Sequence, residues 1–286
     1  MNTILSKDEL VVKAFNNNIV LVNVNNTEKI LFGRGIGFGK KPGSIIKKGT
    51  EIEKVFIIED ESNRKNLFEV IEQTNEEFFG ICEEAIFEIS KEIKSEFNES
   101  IHIGLIDHLF LALKRIKNNE EIENPFLIQI QTLYSKEYYL AERMANILER
   151  EFDIIMPESE IGFIALHIHS AIENKKVSLT LKDDYLGNKI VEFVEERLGF
   201  SIDKKSLDYA RFLTHIKFAI QRILDNVSNH NELRDMIKIG FKESYEVAID
   251  AAKILEEELN VKVGEDEVTF LAIHIERFKN SKKLTV

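Results

Sequence analysis

The chain has 286 residues, which at about 100–200 residues per domain suggests two domains or three small ones. A hydrophobic content of 44% supports packed cores, and the single Cys82 excludes an internal disulfide framework and reads as a small buried hydrophobe. Fifty acidic against 38 basic residues give a net charge of −12, which argues against a uniformly basic nucleic-acid binder but averages over unlike parts. The N-terminus, MNTILSKDEL, lacks an apolar stretch of signal-peptide length, and no apolar run reaches about 18 residues. The sequence alone therefore predicts a cytoplasmic protein with no membrane insertion.

The front of the chain reads as β. Ile19-Val20-Leu21-Val22-Asn23-Val24 is β-branched and apolar, Asn25-Asn26-Thr27 is a turn signal, and Glu28-Lys29-Ile30-Leu31-Phe32 follows as a second strand. Gly33, Gly35, Gly37, Gly39 and Gly43 then crowd together, and Lys54-Val55-Phe56-Ile57-Ile58 forms a further strand. This spacing predicts a small antiparallel sheet. Residues 13–54 carry eight Lys or Arg against three Asp or Glu, whereas the chain beyond residue 60 carries 29 against 43. A small basic front on a large acidic body suggests two jobs, the front attracting phosphate and the body repelling it.

From about residue 65 the pattern turns helical, as in Leu67-Phe68-Glu69-Val70-Ile71 and in 140–148. With only three prolines in the chain and few glycines after residue 43, the body reads as all-α. Shifted by 107 residues, it overlays itself without a gap: 105–116 meets 212–223, and 141–168 meets 248–275. Two copies of such a unit predict a duplicated helical domain. The boundary is expected near 175–184, where Asn174-Lys175-Lys176 and Lys182-Asp183-Asp184 break the apolar pattern. The predicted architecture is multidomain: a small antiparallel β domain over 1–64, then two homologous all-α bundles over 65–177 and 178–286.

Four of the seven histidines obey the repeat, His108 matching His215 and His167 matching His274. Arg115 and Arg222 each follow the first histidine of a pair by seven residues, two helical turns, and so share its face; Arg211 lies four before His215. Glu160 and Glu267 precede His167 and His274 by seven, and a carboxylate there can orient an imidazole. Duplication of structural core histidines with ordinary surface ion pairs is the bland alternative. Zinc is disfavoured, because the rings of His167 and His169 diverge by about 160° on a helix and neither HExxH nor CxxC is present. Histidine phosphorylation fits better: a neutral imidazole is a nucleophile towards a phosphoryl donor, and the dianion it then carries can reorganise an interface. His102 and His169 face Tyr209 and Glu276 in the repeat and read as accessory or structural.

At this point the chain resembles a known family. Lys13-Ala14-Phe15-Asn16-Asn17-Asn18 with Phe32-Gly33-Arg34-Gly35-Ile36-Gly37-Phe38-Gly39-Lys40-Lys41 looks like the RNA-binding module of BglG/SacY-type transcriptional antiterminators. The repeats, with Asp107-His108, Ala165-Leu166-His167-Ile168, Thr214-His215 and Ala272-Ile273-His274-Ile275, resemble their two phosphotransferase-system regulation domains. The glycine-rich loop, Asn124-Pro125-Phe126-Leu127 and 160–171 are closest to the glucose-type members. The resemblance implies a front module that dimerises on an RNA hairpin in a nascent leader transcript and prevents a terminator from forming. Lys13, Asn16, Asn18, Gly33, Arg34 and Phe38 would then lie at the RNA surface. It also implies phosphorylation of His108 and His167 by a sugar-specific permease and of His215 and His274 by the histidine phosphocarrier protein, in a homodimer with no cofactor, no metal and no enzymatic activity. A turn role for Asn16–Asn18, core packing for Phe38, and a solvated loop at Lys40, Lys41, Lys47 and Lys48 are the structural alternatives. A DNA-binding regulator is disfavoured because the front has no helix-turn-helix pattern. A phosphotransfer enzyme or metal-dependent hydrolase is disfavoured because no phosphate loop or converging ligand set is present.

Overall fold

A computed structural model describes residues 3–283 apart from Asn26, Lys94, Glu121, Asn226, Ser228 and Asn229. It divides into two compact units, one of residues 1–124 and 136–176 and one of 125–135 and 177–286.

The first unit begins with β1 (Thr3–Ile4), β2 (Glu9–Ala14), β3 (Ile19–Val24), β4 (Thr27–Phe32), β5 (Ile45–Ile46), β6 (Glu51–Ile52) and β7 (Lys54–Ile58). Five strands form an antiparallel sheet in the order β5-β2-β3-β4-β7, and β1 pairs with β6. Strand β3 explains the arrangement. Its run Ile19-Val20-Leu21-Val22 is fully buried at all four positions, because both faces of the sheet are covered. Val20 and Val22 pack with Leu5, Val11, Leu31, Ile36, Ile46 and Ile52. From the sheet and its flanking turn, Phe15, Phe32 and Phe56 meet Phe79, Phe87 and His102 of the helical part, with ring centroids 4.5, 4.8 and 4.4 Å apart. A bulge between Val11 and Lys13 shifts the β2–β3 register and turns the strand beside the loop that follows it.

The helical part of this unit contains α1 (Glu61–Gln73), α2 (Glu76–Ser90) and α3 (Ile106–Lys117), the last entered through a π-helical turn over Ile101–Leu105. Side chains start the first two: Asp60 accepts from the backbone N–H of Ser62 and Asn63, and Asn75 from that of Phe78. Next in the chain is α4 (Leu127–Leu133), which belongs to the second unit, and then α5 (Ser135–Phe152) and α6 (Glu158–Ile172). Cys82 is fully buried in α2, and burial pushes its thiol further up.

The second unit consists of α4 with α7 (Val177–Leu198), α8 (Leu207–Leu224), α9 (Arg234–Gly240), α10 (Lys242–Leu259) and α11 (Glu265–Lys283). Its core interleaves Ile190 and Val194 of α7, Phe212 and Ile216 of α8, Ala248 and Leu255 of α10 and Leu271 and Ile275 of α11. The 107-residue repeat holds in three dimensions: α4, α5 and α6 begin 107 residues before α9, α10 and α11. Local bonds repeat too. Glu149 accepts from the Met156 N–H and Glu256 from the Val263 N–H, while Ser159 accepts from Asn124 and Asp266 from Asn231.

The chain breaks at Glu173–Lys176, between α6 and α7, and Lys182-Asp183-Asp184 lies inside α7 rather than at a break. Asp184 is wholly buried. Its Oδ1 accepts from Gln129 Nε2 (2.7 Å) and the Tyr134 hydroxyl (3.2 Å), and Lys217 Nζ stands 2.5 Å away. Among the described residues no helix is long and apolar enough to cross a membrane.

Candidate RNA surface and paired-histidine sites

The loop expected to meet RNA is built by backbone stitching. The Asn16 side chain accepts from the Asn18 N–H (2.8 Å), and the Asn18 side chain accepts from the Gly35 N–H (3.0 Å). The Gly33 and Gly37 N–H groups donate to the carbonyls of Asn18 and Asn17. The turn between β2 and β3 and the glycine loop after β4 thus form one rigid edge. At Gly37 a Cβ would stand 2.1 Å from the Asn16 carbonyl oxygen, so this approach requires glycine. Asn16–Asn18 form the turn and also present their side chains.

Of the six residues in question, Asn18, Arg34 and Phe38 are exposed, Lys13 and Asn16 half-buried, and Gly33 buried. Phe38 is 75% exposed, which removes core packing as its role. Lys40 donates to the Ile45 carbonyl and Lys47 to Asp8, while Lys41 and Lys48 are exposed.

Helix α2 stands against this edge. Lys13 Nζ lies 3.1 Å from Glu76 Oε1, and Asn16 Nδ2 donates to Glu84 Oε1 at 2.8 Å. A Cβ at Gly80 would come to 3.3 Å from Asn16 Nδ2. Asn18, Gly33 and Arg34 line a cleft of about 540 Å³ whose other wall carries Glu84, Glu88, Lys91, Arg143 and Arg150. These partners of Lys13 and Asn16 have no signature in local sequence spacing.

The four repeating histidines come together in two pairs. His108 of α3 faces His167 of α6 with ring centroids 5.2 Å apart, and His215 of α8 faces His274 of α11 at 4.8 Å. Phe163 and Phe270 pack on His108 and His215 in equivalent positions. Burial, with the neighbouring His108, brings His167 down to about 3. Burial, with Arg222, brings His215 down to about 4; His274 falls to about 4 through burial, His215 and nearby arginines. These three rings are neutral near pH 7.

The carboxylates sit differently from the helical-spacing expectation. Glu160 shares a helix with His167 but reaches across to His108, its Oε2 lying 3.0 Å from His108 Nε2. Arg115 holds the other oxygen, with Nε and Nη2 donating to Oε1 at 3.1 and 2.9 Å. In the second unit Arg222 donates to both oxygens of Glu267 at 2.6 Å, and Glu267 Oε2 lies 3.9 Å from His215 Nε2. Burial raises the Glu160 carboxyl, but His108 and Arg115 outweigh it and hold the group below the usual range. Arg211 pairs with Asp208 instead of standing free beside His215.

His102 is buried against Glu83, its Nδ1 2.9 Å from Oε2, and His169 Nδ1 is 3.3 Å from Glu137. The repeat carries Ser244 and Glu276 in the latter place, bonded at 2.7 Å. Both histidines hold helices together. Among the described residues no group of three or more His, Cys, Asp or Glu could hold a metal ion.

The depressed histidines give a signed pH dependence. A ring near 3 in the folded chain and near 6.5 in the unfolded one takes up its proton first on unfolding, so stability is lost as pH falls below about 6.5. His167→Asn should reduce the stability difference between pH 7 and pH 5 by on the order of 1 kcal/mol, allowing for partial solvent screening. Urea midpoints at the two pH values measure it, and an unchanged difference would show that His167 does not titrate in this way.

A β-edge bearing exposed Arg34 and Phe38, followed by two helical repeats that each hold a histidine pair, fits an RNA-binding regulator with two regulatory domains. The comparisons agree. The CAT RNA binding domain matches residues 10–65, and the PRD domain matches 83–171 and 188–278. Protein GlcT of Staphylococcus saprophyticus is 34% identical over 278 residues, covering 96% of this chain and 99% of that one. Protein GlcT of Staphylococcus haemolyticus is 33% identical, covering 94% and 95%. A solved structure of GlcT CAT-PRDI is 38% identical with a TM-score of 0.50, covering 58% of this chain and 98% of that one. The chain belongs to the family of transcriptional antiterminators that join a CAT RNA-binding domain to two PRD regulatory domains, with glucose-type members among its relatives.

Proposed function

We propose that residues 1–64 read an RNA hairpin in a nascent leader transcript, and that residues 65–177 and 178–286 govern that reading through histidine phosphorylation. Hairpin binding excludes an overlapping terminator, and transcription continues into sugar-uptake genes. Asn16, Asn18, Lys13 and Arg34 engage phosphate, base edges and 2′-hydroxyls, Gly33 permits close approach, and Phe38 stacks on an unpaired base. His108 and His167 take phosphate from a sugar-specific permease, and His215 and His274 from the histidine phosphocarrier protein. The chain works in the cytoplasm as a homodimer, without cofactor, and accepts phosphate without turning over a substrate of its own.

One observation carries this reading: Arg34 and the 75%-exposed Phe38 stand on a rigid edge of the domain that matches the CAT RNA-binding family. Full-length protein should bind a family-type hairpin, and Arg34→Ala or Phe38→Ala should each weaken it roughly fivefold, about 1 kcal/mol, with the thermal midpoint unchanged. Equal binding by both variants would remove these residues from the RNA surface. Preference for duplex DNA over hairpin RNA would favour the operator-binding alternative.

A further inference from the structure

The two ring nitrogens of His108 and of His215 stand in different surroundings. Nε2 of His108 and Nε2 of His215 are both buried from solvent without a hydrogen-bond partner among the described residues, and a carboxylate stands beside each, Glu160 Oε2 at 3.0 Å and Glu267 Oε2 at 3.9 Å. The side chains are nevertheless 18% and 16% exposed. Among the described residues no hydrogen bond engages Nδ1 of either ring, and Nδ1 is the nitrogen that keeps contact with solvent. The arrangement occurs twice, in each unit separately, with a guanidinium behind each carboxylate.

We infer that Glu160 and Glu267 are positioning residues that keep the proton on Nε2 of His108 and His215 and leave Nδ1 as the phosphoryl acceptor. The inference rests on the histidine phosphorylation proposed above and adds its chemistry. A carboxylate beside one ring nitrogen fixes the tautomer in which that nitrogen carries hydrogen, so the lone pair lies on the other. The Nδ1 lone pair attacks the phosphorus of a phosphohistidine or phosphocysteine donor. The new N–P bond forms as the donor's N–P or S–P bond breaks, and its electron pair returns to the donor nitrogen or sulfur. The proton on Nε2 stays in place, and the adjacent carboxylate balances the positive charge that N-phosphorylation puts on the ring. Arg115 and Arg222 hold the carboxylates so that they do not swing out to meet the incoming phosphate. This is electrostatic preorganisation supplied by side chains that never touch the donor.

The test is a nitrogen-15 and phosphorus-31 correlation experiment on full-length, nitrogen-15-labelled protein. The protein is charged by phosphoenolpyruvate through the phosphocarrier proteins and, in a second arm, the permease. Phosphate on Nδ1 of His108 and His215 is the expected result. Phosphate on Nε2 of these rings would overturn the inference while leaving the phosphorylation reading intact. No phosphate on either ring would overturn that reading and the inference with it. Glu160→Gln and Glu267→Gln should slow transfer about tenfold and let the Nε2 isomer appear, whereas Glu160→Asp should keep the Nδ1 isomer. A slower reaction with the isomer unchanged would mean that the carboxylates only support the helices. The two glutamates lie in different units, so a folding defect in one variant leaves the other to decide.

Discussion

Asp184→Ala is expected to destabilise the second helical unit by about 3–5 kcal/mol, the usual cost of removing one partner from a buried ion pair. Asp184 is fully buried and gathers Gln129, Tyr134 and Lys217 on a single carboxylate oxygen. Without it, Lys217 keeps its ammonium over the Tyr134 ring at 4.2 Å but loses the carboxylate beside it. Burial already pulls Lys217 down to about 7 even with Asp184 2.5 Å away. In the variant the lysine must shed its proton or unfold its surroundings. An unfolded chain then binds the proton more tightly than the folded one, so the defect grows as pH falls below the unfolded value and shrinks as it rises. Asp184→Leu with Lys217→Met should recover part of the loss, because the two charges are replaced together while Gln129 and Tyr134 still lose their acceptor. Urea unfolding and hydrogen exchange in α7 and α8 measure both variants. A loss below about 1 kcal/mol for Asp184→Ala would show that the cluster is solvated in solution.

The same aspartate marks where the sequence was hard to read. Lys182-Asp183-Asp184 looks like a linker because local pattern registers a charge only as polar. Its role in a helix interior depends on Gln129, 55 residues earlier, and Lys217, 33 later. Strands β3, β4 and β7 were legible because runs of β-branched and apolar residues are bounded by turn signals; β1, β5 and β6, two residues each, are too short to leave any periodicity. The histidine pairs were legible because duplication repeats them in one register. Their carboxylate partners were visible as residues but assigned to the wrong ring. Spacing of seven places Glu160 on the face of His167, and only the packing of α3 on α6 turns it to His108. A further duplicated feature escaped the pattern altogether. Gly80 and Gly187 occupy the same place in the repeat; a Cβ would come 3.3 Å from Asn16 of the β domain at the first and 2.9 Å from Leu213 of α8 at the second.

Glu76→Gln with Glu84→Gln in the full chain should tighten binding to a family-type hairpin roughly thirtyfold, about 2 kcal/mol. The reason is competition for the same donors. Lys13 and Asn16 are already engaged by Glu76 and Glu84 of α2, and a phosphate or base edge can use them only after those contacts part. A charge-assisted hydrogen bond to a carboxylate contributes about 1.5–3 kcal/mol when shielded, less when half-exposed as the Lys13–Glu76 pair is. Removing two negative charges also strengthens attraction to any polyanion, so Glu69→Gln with Glu72→Gln on α1 supplies the control for net charge. That control should gain only a few-fold, and its gain should fade as salt shortens the screening length. Equal gains from both pairs would reduce α2 to a source of diffuse repulsion. A gain confined to Glu76 and Glu84 would identify α2 as a competitor for the RNA-reading edge. Phosphate chemistry at His108 would then have a mechanical route to the RNA: α2 packs in the same unit as the π-helical turn and α3, through the Glu83–His102 pair.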